Sequence, residues 1–332
     1  MLREAGLGAL TALVLAACGP QAGPAGGDEM TARSVPTVES EAPKGPYVRV
    51  LGTAQDGGLP HAACGCDRCD RARSEPAFAR HIASLALVLP ASDRVMLVDA
   101  TPDLRQQLDA LMDVRDDPPD RVDRDPVDGV LLTHAHIGHY LGLAFFGFEA
   151  VHTRDLPVYC TAALGEFLSQ HGPWEQLVRL GNLKLVESLP GEPIDLGDGV
   201  TAEPRIVPHR DEYSDTVAWI LRGPQRSLLY IPDTEPWGRW PVAIEEWLAE
   251  VDVALLDGTF YSAAELPGRE VSEIGHPLIV DSMERFAGRS RPRILFTHLN
   301  HSNPALEPGS PAAEEIRSRG FEVASDGLEF PL

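Results

Sequence analysis

The 332-residue sequence predicts a single α/β domain. From about residue 47 onwards, short apolar stretches that suit β-strands alternate with amphipathic stretches that suit α-helices. No long repeat and no break in composition divides this part of the chain, so we expect one layered fold with helices on both sheet faces. A content of 43% hydrophobic and 23% charged residues is typical of a globular protein with a sizeable core.

The predicted elements follow one another in a regular alternation. The predicted strands are short apolar runs: Tyr47–Leu51, Ser84–Leu89, Val95–Val98, Gly129–Leu132, Val200–Val207, Thr216–Leu221, Leu228–Ile231, Val253–Leu256 and Ile294–Thr297. The predicted helices have apolar residues at helical spacing: Pro102–Met112, Tyr140–Ala150, Ala162–Gln170, Pro241–Glu250, Leu278–Phe286 and Pro311–Arg319. Because the two kinds of element interleave, the pattern favours α/β over separate helical and sheet regions.

The first 46 residues are expected to lie outside this domain. Residues 2–17 form an apolar run that is too short for a comfortable membrane span and is typical of a signal peptide. The run ends in Leu-Ala-Ala-Cys, which resembles the lipobox of bacterial lipoproteins and implies acylation of Cys18. An ordinary secretory signal and a cytosolic chain with an apolar N-terminus are the alternatives. Residues 19–46 are rich in Gly, Pro and Ala and predict a flexible tether to the domain at 47–332.

The net charge of −22 limits the partners of the chain. An acidic surface repels nucleic acid, and the sequence contains no cluster of Lys and Arg that would bind it, so nucleic acid is not an expected partner. A small-molecule substrate and a membrane, reached through the lipid anchor, are the expected partners. The predicted location is the cell membrane or the outer membrane, with the domain facing the periplasm or the exterior.

Three histidines follow the predicted strand that ends at Leu132. His134 and His136 are two residues apart, so on an extended backbone their side chains point to the same side. His139 follows where the chain turns towards a helix, which can bring its imidazole back to the other two. Three imidazoles arranged in this way can converge on one metal ion at about 2.0–2.1 Å, and the sequence therefore predicts a metal site.

This segment resembles the metal motif of the metallo-β-lactamase superfamily, His-x-His-x-Asp-His at the end of a strand. Matches to the later ligands of the family follow in the family's order: Val-Pro-His ends at His209, Tyr-Ile-Pro-Asp supplies Asp233 as the bridging carboxylate, and Phe-Thr-His ends at His298. Asp99 matches the early aspartate that supports the histidine loop. The resemblance implies an αββα sandwich in a single domain, with metal ligands His134, His136, His139, His209, Asp233 and His298.

One position departs from the family pattern, because Gly138 stands where the family has the aspartate that binds a second metal. A first site of four ligands is unaffected. The second site retains His139, His298 and Asp233. We expect it to be weakened, vacant or completed by another group, with Asp257 and His276 as candidates.

Cys64, Cys66 and Cys69 form a second metal signal, a Cys-x-Cys-x-x-Cys run. Three thiols so close together suit a tetrahedral zinc site that needs a fourth ligand. The alternatives are one disulfide with a spare thiol, or a reactive site; three is the wrong number for disulfides alone, and a Cys-x-Cys bridge is strained. Cys160 follows the apolar residues Pro-Val-Tyr and is expected to be a core residue.

Residues 51–60 and this cysteine run resemble one branch of the superfamily, which holds the pyrroloquinoline quinone (PQQ) biosynthesis B proteins (PqqB) and a phosphonate-pathway cyclic phosphodiesterase. Further matches to the PqqB proteins are at residues 100–105, 256–260, 274–277 and 298–304. In the phosphodiesterase, the fourth structural ligand is a His three residues after the active-site His. His301 stands three residues after His298. The resemblance therefore implies one structural zinc ion bound by Cys64, Cys66, Cys69 and His301.

The resemblance also implies a chemistry: hydrolysis of an ester, a lactone or a phosphodiester by metal-activated water. The active-site metal is expected to be Zn²⁺ or Mn²⁺/Fe²⁺, as one or two ions. Asp233 and His276 are the predicted catalytic residues, the first as bridging carboxylate and the second as proton donor or substrate contact. A plain surface or core histidine is the alternative for His276.

Two further functions remain open at this point. A PqqB-like protein could serve an oxidative or carrier role in quinone-cofactor biosynthesis, although a cytosolic PqqB would not carry a lipoprotein signal. A non-catalytic metal-binding lipoprotein is the third possibility, and only the replacement at Gly138 supports it.

Overall fold

The computed structural model describes residues 45–114, 122–268, 270 and 273–332. In this part of the chain there are fourteen strands, numbered in order: β1 Tyr47–Gly52, β2 Ser84–Leu89, β3 Arg94–Val98, β4 Gly129–Leu131, β5 Leu156–Cys160, β6 Leu183–Glu187, β7 Ile194–Gly197, β8 Val200–Ile206, β9 Val217–Arg222, β10 Ser227–Ile231, β11 Val253–Asp257, β12 Arg293–Thr297, β13 Glu322–Val323 and β14 Glu329–Pro331. They form two seven-stranded sheets, with the orders β14-β1-β2-β3-β4-β5-β6 and β13-β12-β11-β10-β9-β8-β7.

Eight α-helices accompany these strands in the described residues: α1 Asp67–Ser74, α2 Leu104–Asp109, α3 Ile137–Tyr140, α4 Ala162–Gln170, α5 Trp174–Arg179, α6 Ile244–Leu248, α7 Ile279–Arg285 and α8 Pro311–Ser318. Thr161 caps α4 by accepting a hydrogen bond from the N–H of Leu164, and Ser310 caps α8 in the same way from Ala313. Neither these helices nor any other described helix is long and apolar enough to cross a membrane.

The core has three layers of apolar side chains, as two packed sheets with helices outside them require. The layer between the sheets contains fully buried residues from both of them, such as Leu87 and Met96 from the first and Trp219 and Tyr230 from the second. A second layer lies between the first sheet and α2, α4 and α5, and a third lies between the second sheet and α6, α7 and α8. The predicted αββα sandwich in a single domain is confirmed.

All nine predicted strands are present within one or two residues of their predicted ends. The helix predicted over Tyr140–Ala150 is wrong in type: α3 ends at Tyr140, and a 3₁₀ helix follows over Leu141–Phe146. Gly142 shows why the segment is tight, because its N–H donates to the carbonyl of Ala100 and an added Cβ would lie 2.1 Å from the carbonyl oxygen of Thr101. Close packing against a neighbouring loop thus overrides the helical spacing.

The two sheets bring several parallel strands to the same edge of the sandwich. In the first sheet β3, β4, β5 and β6 are parallel, and in the second sheet β10, β11, β12 and β13 are parallel. The carboxyl ends of β3, β4, β10, β11 and β12 carry most of the polar residues that the sequence analysis selected. The predicted signal peptide and residues 19–44 of the predicted tether lie outside the described part of the chain.

Candidate metal centre

Four of the predicted ligands converge after β4, β8 and β10. His134 Nε2 and His209 Nε2 lie 2.9 and 3.1 Å from His136 Nδ1, and Asp233 Oδ2 lies 3.5 and 3.1 Å from His134 Nε2 and His209 Nε2. These separations suit four donors that share one ion, because ligands about 2.0–2.2 Å from a tetrahedral centre lie roughly 3.4 Å apart. His134, His209 and Asp233 are buried.

His136 is held from its outer side. Its Nδ1 faces the other ligands, and its Nε2 lies 3.0 Å from the Glu212 carboxylate. A proton on Nε2 leaves Nδ1 free to bind metal, so Glu212 fixes both the ring orientation and the tautomer. Glu212 is not among the predicted site residues, and no spacing rule in the sequence indicates it.

A second group of donors lies beside the first and contains His139 and His298. Asp56 Oδ1 lies 3.6 Å from His139 Nε2 and 3.5 Å from His298 Nε2. Asp233 links the two groups, since its Oδ2 lies 4.0 Å from His298 Nε2. The structure therefore brings all six predicted ligands together and adds Asp56, which the sequence analysis did not assign to the site.

Two buried aspartates hold the outer faces of the second pair of histidines. Asp99, in a left-handed conformation (φ 66°) after β3, accepts a 2.7 Å hydrogen bond from His139 Nδ1 and a 2.8 Å bond from the N–H of Thr133. In the other sheet, the Thr259 hydroxyl donates to Asp257 and accepts from His298 Nδ1 at 2.9 Å. Both Nε2 atoms are thereby turned towards Asp56.

Asp257 was one candidate to complete the second site, but both of its oxygens are used by other partners. Its Oδ1 accepts from the backbone N–H of Thr259 at 2.9 Å and from the Thr259 hydroxyl at 2.7 Å. Its Oδ2 accepts from the N–H of Thr234 at 3.0 Å and from His276 Nδ1 at 2.9 Å. Asp257 therefore positions its neighbours from behind the site.

His276 lies at the border of the cluster. Its Nδ1 is 3.1 Å from Asp233 Oδ1, and its side chain is 14% exposed, so it reaches both the metal ligands and solvent. Burial lowers the pKa of His276, but the carboxylates of Asp257 and Asp233 outweigh burial and raise it well above the ordinary value.

The remaining charges of the cluster are set by burial and close carboxylates. Burial and the neighbouring His139 hold the pKa of His134 well below its ordinary value, so this imidazole is neutral and can bind metal. Burial lowers the pKa of His139 as well, but Asp99 and Asp56 raise it to about 10. Burial raises the pKa of Asp233, but the surrounding histidines outweigh it and hold the carboxylate ionised.

Three buried atoms of the second group have no hydrogen-bond partner among the described residues: Asp56 Oδ1, His139 Nε2 and His298 Nε2. Buried polar atoms without partners are costly and rare in folded proteins. All three are atoms that ligate divalent metals, and Asp56 Oδ1 lies within 3.6 Å of both imidazole nitrogens. The donor set of the cluster therefore fits a metal ion.

The cysteine run forms a separate cluster with His301. His301 Nδ1 lies 3.6, 3.8 and 3.6 Å from the sulfur atoms of Cys64, Cys66 and Cys69. Zinc about 2.3 Å from sulfur and about 2.0–2.1 Å from nitrogen would separate the two by roughly 3.6 Å at the tetrahedral angle. The four side chains that the sequence analysis assigned to structural zinc are therefore together. Cys160 is separate and buried in the core beside the first sheet.

A family profile described as "Beta-lactamase superfamily domain" matches residues 94–299. Coenzyme PQQ synthesis protein B of Cupriavidus necator is 30% identical over 316 residues, which cover 86% of this chain and 99% of that protein. The chain belongs to the PqqB-like branch of the metallo-β-lactamase superfamily. The protein of the same name from Stutzerimonas stutzeri is also 30% identical to this PqqB-like chain, and the match covers 86% of the chain and 100% of the relative.

Solved structures agree with this placement. The Zn²⁺-bound PqqB from Methylobacterium extorquens has a TM-score of 0.73 and 25% identity to the PqqB-like chain, covering 86% of it and 100% of that chain. A diphosphatase of the PhnP family has a TM-score of 0.60 at 22% identity, covering 86% and 96%, and supports the fold alone.

Proposed function

We propose that this PqqB-like chain is a metal-dependent hydrolase of small ester, lactone or phosphodiester substrates. The observation that carries the proposal is the convergence of four donors, His134, His136, His209 and Asp233, next to a second donor group. Asp233 lies between the two, with its Oδ2 4.0 Å from His298 Nε2. Adjacent sites that share a carboxylate are typical of hydrolytic two-metal enzymes. A metal bound here lowers the pKa of its water to about 7 and polarises the bond under attack.

The residues of the chain would supply the rest of the chemistry. His134, His136, His209 and Asp233 would hold one ion, and His139, His298 and Asp233 would contribute to another. His276 would donate a proton to the leaving group or contact the substrate, since its ring borders the metal ligands and is partly open to solvent. Substrate would approach beside His136. The exposed ring of Tyr213 lies there, with its centroid 5.3 Å from the ring centroid of Phe167.

The cysteine cluster has a different proposed role. Cys64, Cys66, Cys69 and His301 would bind one structural zinc ion, because a closed set of four protein ligands leaves no position for a substrate. Bound zinc would also protect these thiols from oxidation outside the cytoplasm.

Coenzyme PQQ synthesis is the second candidate function, and the comparisons support it more directly than they support hydrolysis. The relatives that match across almost their whole length carry the name Coenzyme PQQ synthesis protein B. Such a role would use the same metal cluster for an oxidative or carrier step. A purely metal-binding protein is less well supported, because the donor set extends beyond one closed site.

One set of measurements separates these functions. For a hydrolase, we expect the purified protein to hold two or more metal ions and to turn over bis-p-nitrophenyl phosphate or a lactone. His209→Ala should lower turnover at least 100-fold, because it removes a metal ligand. His152→Ala is the control and should leave turnover unchanged, because the His152 ring packs on Phe148 away from the site. Restored PQQ production in a bacterium lacking its own synthesis protein B, or oxygen uptake with iron, would favour the second function. One tightly held zinc without turnover would contradict both.

We also propose that the domain is a lipoprotein, tethered through acylated Cys18 to the cell or outer membrane on the periplasmic or exterior side. The support is the lipobox-like sequence followed by a tether without large apolar residues. Cells that express the full chain should incorporate labelled fatty acid into it, and Cys18→Ser should abolish the label. Unchanged labelling of Cys18→Ser would disprove the anchor.

A further inference from the structure

Gly138 occupies the motif position at which the superfamily has a metal-binding aspartate. A Cβ atom added at Gly138 would lie 2.1 Å from Asp56 Oδ1 and 2.7 Å from Asp56 Cγ. Both distances are far below any normal contact, so the Asp56 carboxylate fills the space into which a side chain at position 138 would extend. A side chain at position 138 and Asp56 in its present conformation therefore exclude each other.

The backbone holds Asp56 in this place. Ala54 forms a parallel bridge with Leu299, next to His298, and the N–H of Gln55 donates to the Leu299 carbonyl at 2.9 Å. A turn follows, in which the N–H of Gly58 donates to the Gln55 carbonyl at 2.7 Å, with Gly58 in a left-handed conformation (φ 72°). The turn places the Asp56 carboxylate beside His139 and His298.

The Asp56 oxygen that faces the histidines behaves as a ligand atom would. Oδ1 is buried, has no hydrogen-bond partner among the described residues, and lies 3.6 and 3.5 Å from the equally unpartnered Nε2 atoms of His139 and His298. Carboxylate oxygen is a common third donor beside two imidazoles for zinc, manganese and iron.

We propose that Asp56 is the ligand that replaces the missing motif aspartate, so that Asp56, His139, His298 and the bridging Asp233 form a complete second metal site. The chain thus retains the chemistry of a two-metal centre with one carboxylate supplied from a different loop. This inference rests on the proposed metal binding by His139 and His298 but not on hydrolysis. It assigns a divalent transition metal to a site that the motif alone would leave incomplete.

The test is the metal content of the full chain after loading with Zn²⁺ and removal of free ion. Asp56→Asn should hold one ion fewer than the parent protein, or bind its last ion at least about tenfold more weakly. Asp103→Asn is the matched control, because Asp103 lines the same cavity as Asp56. The amide oxygen of the new Asn can still accept a hydrogen bond from the N–H of Ile82. Loading with Co²⁺ gives a second readout, since loss of a carboxylate changes the d–d absorption without affecting the cysteine-to-cobalt bands.

A ligand swap makes the test specific. Asp56→Gly removes the carboxylate that blocks position 138, and Gly138→Asp added to it should restore the lost ion and the Co²⁺ spectrum, whereas Gly138→Asp alone should clash with Asp56. Full metal content and an unchanged Co²⁺ spectrum in Asp56→Asn would overturn the proposal. A swapped double variant that melts like the parent but stays one ion short would overturn the equivalence of the two carboxylates. Neither readout depends on turnover, so a failure of the hydrolase proposal would be seen separately.

Discussion

The two donor clusters of this molecule use different atoms in different surroundings. The cluster at the strand ends consists of imidazoles and carboxylates, is largely buried, and has a second layer of polar residues behind it. The cluster of Cys64, Cys66, Cys69 and His301 consists of three sulfurs and one nitrogen, and Cys66 is exposed. Sulfur-rich sets of four ligands are typical of structural zinc, whereas mixed nitrogen and oxygen sets with free positions are typical of catalytic metals.

We expect the two clusters to contribute differently to the stability and to the activity of the protein. The first cluster is built on strands that the hydrophobic layers already hold, so we expect the fold to form without its ions. The second links a loop and the short helix α1 to the segment after β12, where Arg68 also donates to the carbonyl of His301. Loss of the cysteine cluster should therefore be felt mainly in stability, and loss of the support for the first cluster mainly in activity.

The largest expected effect is on the cysteine cluster. Cys69→Ala or His301→Ala should lose one zinc ion and lower the free energy of unfolding by about 4 kcal/mol or more, since loss of a structural metal is among the most destabilising changes. Zinc analysis and thermal unfolding measure this. Cys160→Ala is the control, because it removes a buried thiol from another part of the core and should keep the zinc content unchanged. Unchanged zinc content and melting temperature in His301→Ala would show that His301 does not help to bind a structural zinc ion.

A smaller effect is expected behind the first cluster. Asp99→Asn leaves either His139 Nδ1 or the Thr133 N–H without its carboxylate acceptor, so metal affinity and kcat/KM should fall about 10–100-fold. Titration of the metal-free protein with Co²⁺ checks this independently of turnover. Asp93→Asn is a matched control, because Asp93 is an exposed aspartate that also has a left-handed backbone (φ 51°). Equal metal affinity in Asp99→Asn and the parent would show that Asp99 has only a packing role.

The smallest expected effect is at Glu212, whose side chain is 47% exposed. Glu212→Gln keeps an acceptor for His136 but loses the charge, so kcat/KM should fall by about tenfold or less, with unfolding unchanged. Glu166→Gln, on the same side of the site but without contact to a predicted ligand, should leave kcat/KM unchanged. A drop in melting temperature without a change in kcat/KM would place Glu212 with the structural residues instead.

Much of the fold and of the site could be predicted because the information is local. Apolar runs of four to eight residues predict the central strands, and His134, His136 and His139 lie within six consecutive residues. The five strands outside the predicted set, β5, β6, β7, β13 and β14, are short or lie towards the sheet edges, where the apolar pattern is diluted.

Asp56 and Glu212 could not be predicted, because their roles depend on contacts between distant parts of the chain. The one available signal for Asp56 was the combination of a motif that lacks its aspartate with an acidic residue in a Gly-rich turn elsewhere. The bridge between Ala54 and Leu299 gives that turn its place beside His298. Asp257, in contrast, was suggested as a ligand but lies behind the site, because its oxygens are used by backbone and hydroxyl donors.

The ligands of the proposed structural zinc are unevenly spaced along the chain. The three sulfurs lie within six residues, while His301 is 237 positions after Cys64 and 232 after Cys69. The cysteines can therefore capture an ion while the chain is still unfolded, and the imidazole can join only when the last strands have formed. A cross-link over a loop of this length reduces the conformational entropy of the unfolded chain and raises its free energy by roughly 5 kcal/mol. The ion would thus gain its fourth ligand only at the end of folding. An ion bound by the three cysteines alone would mark a chain that is not yet fully folded.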